Sequence, residues 1–417
     1  MEAGAEMQIN AGDTAWVLAS AALVLFMTPG LALFYGGMVR AKNVLNMLMK
    51  NFFTITTVTV VWVLIGYTLA FGPDAGGGLI GKLDFIGMRN ITGNPPPNSG
   101  LTIPDVAFVC FQMMFAIITP ALITGAIAER TRFSAWVVFS ILWSLIVYMP
   151  VAHWAFATDG WIYKMGARDF AGGLVVHINA GIAALACVLV LGPRRGFRKE
   201  AIRPHNLTMT LLGAGILWFG WFGFNAGSAL AANAIAARAF LATHVAAATA
   251  AGAWVAFEWW RIGKPTTLGA ASGAVAGLVA ITPCAGFVNP LPAMLIGVVA
   301  GAVCFYAVGL KFRFGYDDSL DVVGVHLVGG IAGSILLGVF AQKSANAAGA
   351  DGLLFGNAAF FGKQIVAVLA VLAFSFVVSY ILARIVDAVV GMRVDDESEV
   401  NGLDLALHEE RAYIFSE

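Results

Sequence analysis

Apolar residues fall in runs of about twenty, separated by short polar stretches, along almost all of this 417-residue chain. A run of that length crosses the hydrocarbon layer of a membrane as an α-helix. The runs predict eleven helices, near 14–38, 44–71, 105–128, 134–152, 170–191, 206–228, 239–260, 266–283, 291–310, 322–340 and 364–390. An odd number of spans places the two termini on opposite sides of the membrane. Residues 1–13 carry no basic segment ahead of the first run, so that run reads as a retained span and not a cleaved leader. The loop 72–104, with Gly76-Gly77-Gly78 and Pro95-Pro96-Pro97, reads as a surface loop, and the acidic stretch 391–417 as a tail able to engage a partner.

The basic residues orient this array. Seventeen of the 24 Lys and Arg fall on one side, among them Arg194, Arg195, Arg198, Lys199 and Arg203 in a single loop. Basic loops stay in the cytoplasm, so the N-terminus is expected outside and the C-terminus inside. Helices one to five (about 14–191) and six to ten (about 206–340) then form two halves. Each half has an odd number of spans, so the second is inverted relative to the first. The predicted fold is an all-α integral membrane protein with two inverted five-helix repeats, a peripheral eleventh helix (about 364–390) and a tail at 391–417.

Composition supports this class and narrows the functions. Charged residues make up 12% of the chain, about half the roughly 25% of soluble domains. The net charge of zero gives no footprint for nucleic acid. The four cysteines, Cys110, Cys187, Cys284 and Cys304, all lie in apolar runs without metal-ligand spacing and read as small buried hydrophobes.

Two histidines stand out within the apolar runs. Asp169, His177 and Gly181-Ile182-Ala183 form one frame; Asp318, His326 and Gly330-Ile331-Ala332 repeat it at identical spacing. An ionisable side chain inside a span is costly and marks a functional site by default. The plain alternative is a buried polar residue bonded to a neighbouring helix, which a shared frame on two helices disfavours. Two imidazoles in contact would set a line of hydrogen-bonding sites through a narrow lumen. A metal site fits poorly, because a carboxylate eight residues back lies about 12 Å away along a helix. Asp318 reads as a helix cap; Asp169, at the expected outer mouth, reads equally as a cap or as a cation-facing carboxylate. A third group, Trp218 to Ser228, interleaves aromatic rings with glycines and ends in a hydroxyl. Interfacial aromatics explain many such residues, but rings also attract small cations, and Phe111 on the third helix could complete a site.

Phe34-Tyr35-Gly36-Gly37, Gly125-Ala126-Ile127-Ala128-Glu129-Arg130, Asp169-Phe170-Ala171-Gly172-Gly173, Gly223-Phe224-Asn225-Ala226-Gly227-Ser228 and Asp321-Val322-Val323-Gly324-Val325-His326 occur in this order through nearly the whole chain. Together they resemble the ammonium transporter family, the Amt/MEP/Rh group, and within it the bacterial Amt branch. The resemblance implies an outer ammonium site at Phe111, Phe156, Ser228 and Asp169, and a stacked gate of Phe111 and Phe224. It implies a pore with His177 and His326 as twin histidines, lined by Leu31, Leu217, Trp221 and Val322, that conducts NH3 with or without a separately relayed proton. It further implies ammonium or its analogue methylammonium as substrate, no cofactor or metal, and no enzymatic activity. Also implied are a homotrimer in the bacterial cytoplasmic membrane and a PII-type signal protein meeting the cytoplasmic face and tail. In Ala152-His153-Trp154-Ala155-Phe156, Phe156 stands where the family usually has tryptophan, and Thr158-Asp159 where it often has glycine. A phenyl ring holds a cation less well than an indole, so the outer site is where this chain departs from the family. Trp154 is a candidate substitute and Asp159 a source of negative potential. A sensor of the same fold and a Rh-like electroneutral gas channel are the alternatives.

Overall fold

In a computed structural model, which describes residues 8–96 and 99–413, the chain is helical throughout, with no strand among the described residues. Pro97 of the proline run, the first seven residues and tail residues 414–417 lie outside the described residues. Ten helices are long and apolar enough to cross a membrane: α1 Ala11–Met38, α2 Ala41–Phe71, α3 Asp105–Ile123, α4 Phe133–Met165, α5 Gly173–Leu191, α6 Leu207–Gly227, α7 Ala234–Ile262, α9 Pro290–Phe314, α10 Val323–Phe340 and α11 Ala358–Val389. A shorter apolar helix, α8 Thr267–Ile281, completes the array. Large apolar side chains such as Leu212, Phe219, Leu369 and Val377 are more than half exposed on the outward surface, as a lipid-facing surface requires.

The structure sharpens several predicted boundaries. Helices α7 and α11 begin five or six residues before their apolar runs, because Asn233 and Asn357 cap them through their side chains. Two other helices stop early. After Ile123 and after Ile281 the chain continues as tight turns, with Thr124 to Arg130 and Thr282 to Ala285 almost wholly buried. Irregular backbone at this depth is tolerated only inside protein, where its polar groups find partners; Thr124, Gly125 and Ala126, for instance, donate to carbonyls three residues back.

Small residues set the packing. On α6, a Cβ at Gly213 would lie 2.2 Å from the Phe34 nitrogen and one at Gly220 would lie 2.2 Å from Met27 Cγ. Helices α1 and α6 therefore touch backbone to backbone, which side chains at these positions would forbid. Helix α11 lies against the outside of α4, α5 and α10, tied by the Trp143 indole donating to Ser379 Oγ (2.9 Å) and by Gln364 exchanging hydrogen bonds with the Arg168 backbone.

At the end of the molecule away from the loop 72–104, a buried ion network joins loops far apart in sequence. Arg194 donates to Asp317 through its backbone N–H, Nε and Nη2, and to Glu129 through Nη1 at 3.2 Å. Arg40 adds a 2.9 Å pair to Glu129. Burial pushes the Glu129 carboxyl up, but Arg194 and Arg40 outweigh it and hold the group below its ordinary value. Asp317 is likewise pushed up by burial and pulled net downward by Arg194 and Arg130. The tail folds across the same end through α12 Asp396–Asn401 and α13 Leu403–His408. Helix α2 has no cap of its own at Val44; Asp404 accepts from the Leu45 and Asn46 N–H groups (3.0 and 2.8 Å), while Asn43 Oδ1 accepts from Leu403 N–H at the start of α13.

Replacing Arg194 with Met takes both side-chain hydrogen bonds from buried Asp317 and leaves Glu129 with Arg40 alone, and should cost about 3–5 kcal/mol. The thermal unfolding midpoint in detergent should fall sharply; a midpoint equal to the parent's would show that the network adds no stability. Because both carboxyls sit below their ordinary values of 4.5 and 3.8, the stability they carry is present above that range and lost as the pH falls through their folded values. The parent protein should therefore lose more stability on acidification than the Arg194→Met variant.

Candidate functional site

The two histidine frames fold alike. Each enters its helix through a residue with positive φ, Gly172 at 126° and Asp321 at 64°, and each opens with a wide π-helical turn, Gly173–Ile178 and Val323–Leu327. Such turns are rare and concentrate at functional sites. Asp169 accepts four N–H groups, those of Gly172, Gly173, Leu174 and Val175 (2.7–3.1 Å). Asp318 accepts those of Val322 and Val323 (3.0 and 2.7 Å). Both aspartates are therefore helix caps. Asp169 borders the outer cavity, but both its oxygens are taken by backbone donors, so it is not a free cation-facing carboxylate.

The glycine four residues after each histidine seats the opposite helix. A Cβ on Gly181 would lie 2.5 Å from the Leu327 nitrogen, and one on Gly330 would lie 3.1 Å from His177 Cβ. Helices α5 and α10 thus cross antiparallel at closest approach beside the histidines. Their rings lie 5.4 Å apart at 25°, with His326 Nδ1 3.3 Å from His177 Nδ1.

The surrounding hydrogen bonds assign the tautomers. The Thr282 hydroxyl donates to the Leu278 carbonyl (2.7 Å) and accepts from the Trp221 indole N–H (2.9 Å). With its hydrogen spent, Thr282 Oγ1 is an acceptor toward His177 Nε2 at 3.3 Å, so that nitrogen carries the hydrogen. Neutral His177 then offers a bare Nδ1, His326 donates from its Nδ1, and His326 Nε2 is left as an acceptor. The two rings border a closed, largely apolar cavity of about 10 Å³ to the centre of a water-sized sphere, room for about one water. Leu31, Leu217 and Trp221, named from the resemblance as lining residues, border it, together with Met27, Phe34, Phe224 and Val275. Val322 does not. It lies one turn farther along, where its Cγ2 meets Gly125.

Above this cavity the structure corrects the gate. The ring facing Phe224 is Phe115, at 4.2 Å between centroids and 34°, not Phe111. Phe111 is fully buried, edge-on to Phe115 at 4.9 Å, with its Cε2 2.9 Å from where a Gly227 Cβ would be. The face of α3 that borders the outer cavity carries Asp105, Phe108, Gln112 and Phe115, one turn and a side away from the residue chosen by motif. Phe115, Phe224, His177 and His326 form a column of rings, with 6.1 Å between Phe224 and His177.

The outer cavity is a vestibule of about 1050 Å³. Phe156 and Ser228 border it, with Phe156 edge-on to Phe115 at 6.5 Å. Ser228 donates its hydroxyl hydrogen to the Phe224 carbonyl (2.8 Å), which leaves the oxygen as an acceptor. Gln112 Oε1 is buried beside the same cavity without a hydrogen-bond partner. Trp154 does not replace the missing tryptophan: it donates to the Leu79 carbonyl (2.9 Å) and packs on Phe374 at 4.6 Å, outside the vestibule lining. No group of three His, Cys, Asp or Glu among the described residues is placed to hold a metal ion.

The motif reading missed Phe115, Gln112 and Thr282. A glutamine in the middle of an otherwise apolar helix was the available signal for the open face of α3. Thr282 gave none, because it sits on buried irregular chain past the end of α8.

An apolar chamber with paired imidazoles lies beneath two facing rings and a wide vestibule, inside an array of helices long and apolar enough to cross a membrane, which is the make-up of a helical membrane protein. The model of the Ammonium Transporter Family matches residues 15–413. An ammonium transporter of Bacillus subtilis (strain 168) is 51% identical over 403 residues, covering 96% of this chain and 98% of that protein. One from Mycobacterium tuberculosis (strain ATCC 25618 / H37Rv) is 50% identical over 437 residues, covering 98% and 91%. The crystal structure of Saccharomyces cerevisiae Mep2 is similar with a TM-score of 0.87 at 37% identity, covering 93% of this chain and 91% of that one. A structure described as a sensor Amt protein is similar with a TM-score of 0.87 at 30% identity, covering 95% and 98%. The chain belongs to the Ammonium Transporter Family, a family of membrane transporters and not of enzymes.

The tautomer assignment is open to 15N NMR of histidine-labelled protein. His177 should show a protonated Nε2 and a bare Nδ1, and Thr282→Val, which removes the acceptor, should give a mixture of tautomers. A mixture already present in the parent would overturn the assignment.

Proposed function

We propose that this chain takes up ammonium through a pore in each subunit of a homotrimer. The carrying observation is the imidazole pair buried in an apolar chamber directly beneath the Phe115–Phe224 rings. NH4+ docks in the vestibule against Phe115 and Phe156, donating to Ser228 Oγ, with Gln112 Oε1 as a second acceptor. It sheds a proton before the rings, because an apolar chamber of this size rejects an ion that keeps its charge. Na+ and K+ cannot shed theirs and stay out. NH3 then meets His326 Nε2 as an acceptor in the chamber.

Eleven spans, in two inverted halves of five plus α11, put the N-terminus outside and the tail in the cytoplasm, in keeping with the positive-inside distribution of Lys and Arg. A bacterial cytoplasmic membrane is the location that goes with this reading, and the folded tail and its adjoining loops would offer the face for a PII-type protein. A sensor with little transport is the second reading, favoured by Phe156 in place of an indole.

Methylammonium uptake into proteoliposomes tests the proposal. His326→Ala should lower selective uptake about tenfold or more, the factor set by one lost hydrogen bond of about 1.4 kcal/mol, with the oligomer unchanged. Phe115→Ala should alter uptake more than Phe111→Ala does. Unchanged uptake in His326→Ala would remove the histidine role, and binding without uptake in the parent would favour the sensor. Sustained charge movement on ammonium pulses over solid-supported membranes would separate an electrogenic route from a gas channel.

A further inference from the structure

We propose that Asp159 supplies the electrostatic capture of cations at the vestibule and that Arg168 opposes it, so that together they set the ammonium concentration at which transport half-saturates; this rests on reading the vestibule as the ammonium entrance. Four charged side chains among the described residues line the cavity: Asp105, Asp159, Arg168 and Asp169. Asp169 is spent on four backbone N–H groups. Asp105 is spent on the N–H groups of Thr92, Gly93 and Val106 and the Thr92 hydroxyl. Asp159 differs. Its Oδ2 accepts from the Asp74 N–H (2.7 Å), no hydrogen bond reaches Oδ1, and the side chain is 35% exposed.

The charge behind Asp159 does not cancel it. His153 Nε2 lies 3.9 Å from Asp159 Oδ1 and 3.5 Å from Asp74 Oδ1, and its Nδ1 lies 2.9 Å from the Ala70 carbonyl. One imidazole facing two carboxylates leaves at least one net negative charge whether or not it holds a second proton. Arg168 carries the opposing charge. Its Nη1 donates to the Tyr163 and Ala167 carbonyls (3.2 and 3.0 Å), and its guanidinium lies 4.7 Å from the Tyr163 ring centroid, so it is pinned to the wall. Independently, Gln112 Oε1, on a residue 8% exposed, is an unpartnered acceptor in the same cavity. A carboxylate at the rim with one oxygen outside any hydrogen bond, and an unpaired acceptor deeper in, call for a small cation with N–H donors. Low-dielectric walls concentrate the field of such charges on the opening.

The test is methylammonium uptake by parent, Asp159→Asn and Arg168→Gln in proteoliposomes, at roughly 0.01 M and 0.15 M ionic strength, where the Debye length falls from about 30 Å to about 8 Å. Asparagine keeps an oxygen for the Asp74 N–H, so the fold of the loop is retained. At low salt, Asp159→Asn should raise KM about two- to four-fold, the size expected of one unit charge about 10 Å away in largely aqueous surroundings, with kcat unchanged. Arg168→Gln should lower KM by a similar factor, and both shifts should shrink at the higher salt. Shifts of equal sign in both variants, or a change in KM that salt does not reduce, would overturn the proposal in favour of a purely structural role. A parent protein that neither binds nor moves methylammonium would instead refute the ammonium reading itself.

Discussion

A single hydrogen bond between two imidazoles in the middle of an apolar array is the constraint from which the rest follows. Two neutral rings bond through Nδ1 only if one is bare and the other protonated, and only if the backbones that carry them come very close. Glycines at 181 and 330 allow that approach reciprocally, each one seating the other histidine's helix. The wide turns around His177 and His326 supply the local shape, and carboxylates at 169 and 318 tie off the free N–H groups that begin those turns. Thr282 fixes the direction of the proton arrangement, and it is in position because α8 ends early and lets an irregular segment reach the core. Polar chemistry in this chamber is thus limited to a few atoms, and each is oriented by a neighbour whose own hydrogen is already committed.

The vestibule works by the opposite rule. There, most acidic groups are used up structurally, while a few acceptors are left open. Asp105 and Asp169 hold loops and helix ends together, whereas Ser228 Oγ and Gln112 Oε1 face the cavity with capacity to spare. The boundary between the two regimes is the pair of phenyl rings of Phe115 and Phe224. On the proposed reading, a charged species is welcome on one side of those rings and strongly disfavoured on the other.

Much of this was legible in the sequence. Apolar runs located the ten long apolar helices and the shorter α8, the paired frames singled out both histidines, and Asp318 accepts backbone N–H groups at its helix start as a cap does. What failed did so for identifiable reasons. Phe111 and Phe115 are a turn apart on one helix, and a motif cannot say which of two equivalent rings faces the lumen; the polar Gln112 marks the answer. Asp169 offered two roles on spacing alone, and only the four backbone donors around it decide between them. Hydropathy missed the caps at Asn233 and Asn357, since it scores a capping amide as an interruption, and ran α3 past its true end because buried turns are as apolar as helix. Trp154 was a reasonable substitute for a missing indole, but its ring packs on Phe374 of α11.

The exchange of caps between Asn43 and Asp404 has a consequence for synthesis. The first turn of α2 forms among the earliest residues to leave the ribosome, yet its N–H groups find their acceptor about 360 positions later. Until then those N–H groups lack the acceptor they have in the folded chain, next to the corner that ends α1. A chain cut short before residue 404 would keep all its spans and still lack the finished corner. The start of α2 and the start of α13 are thus finished by each other.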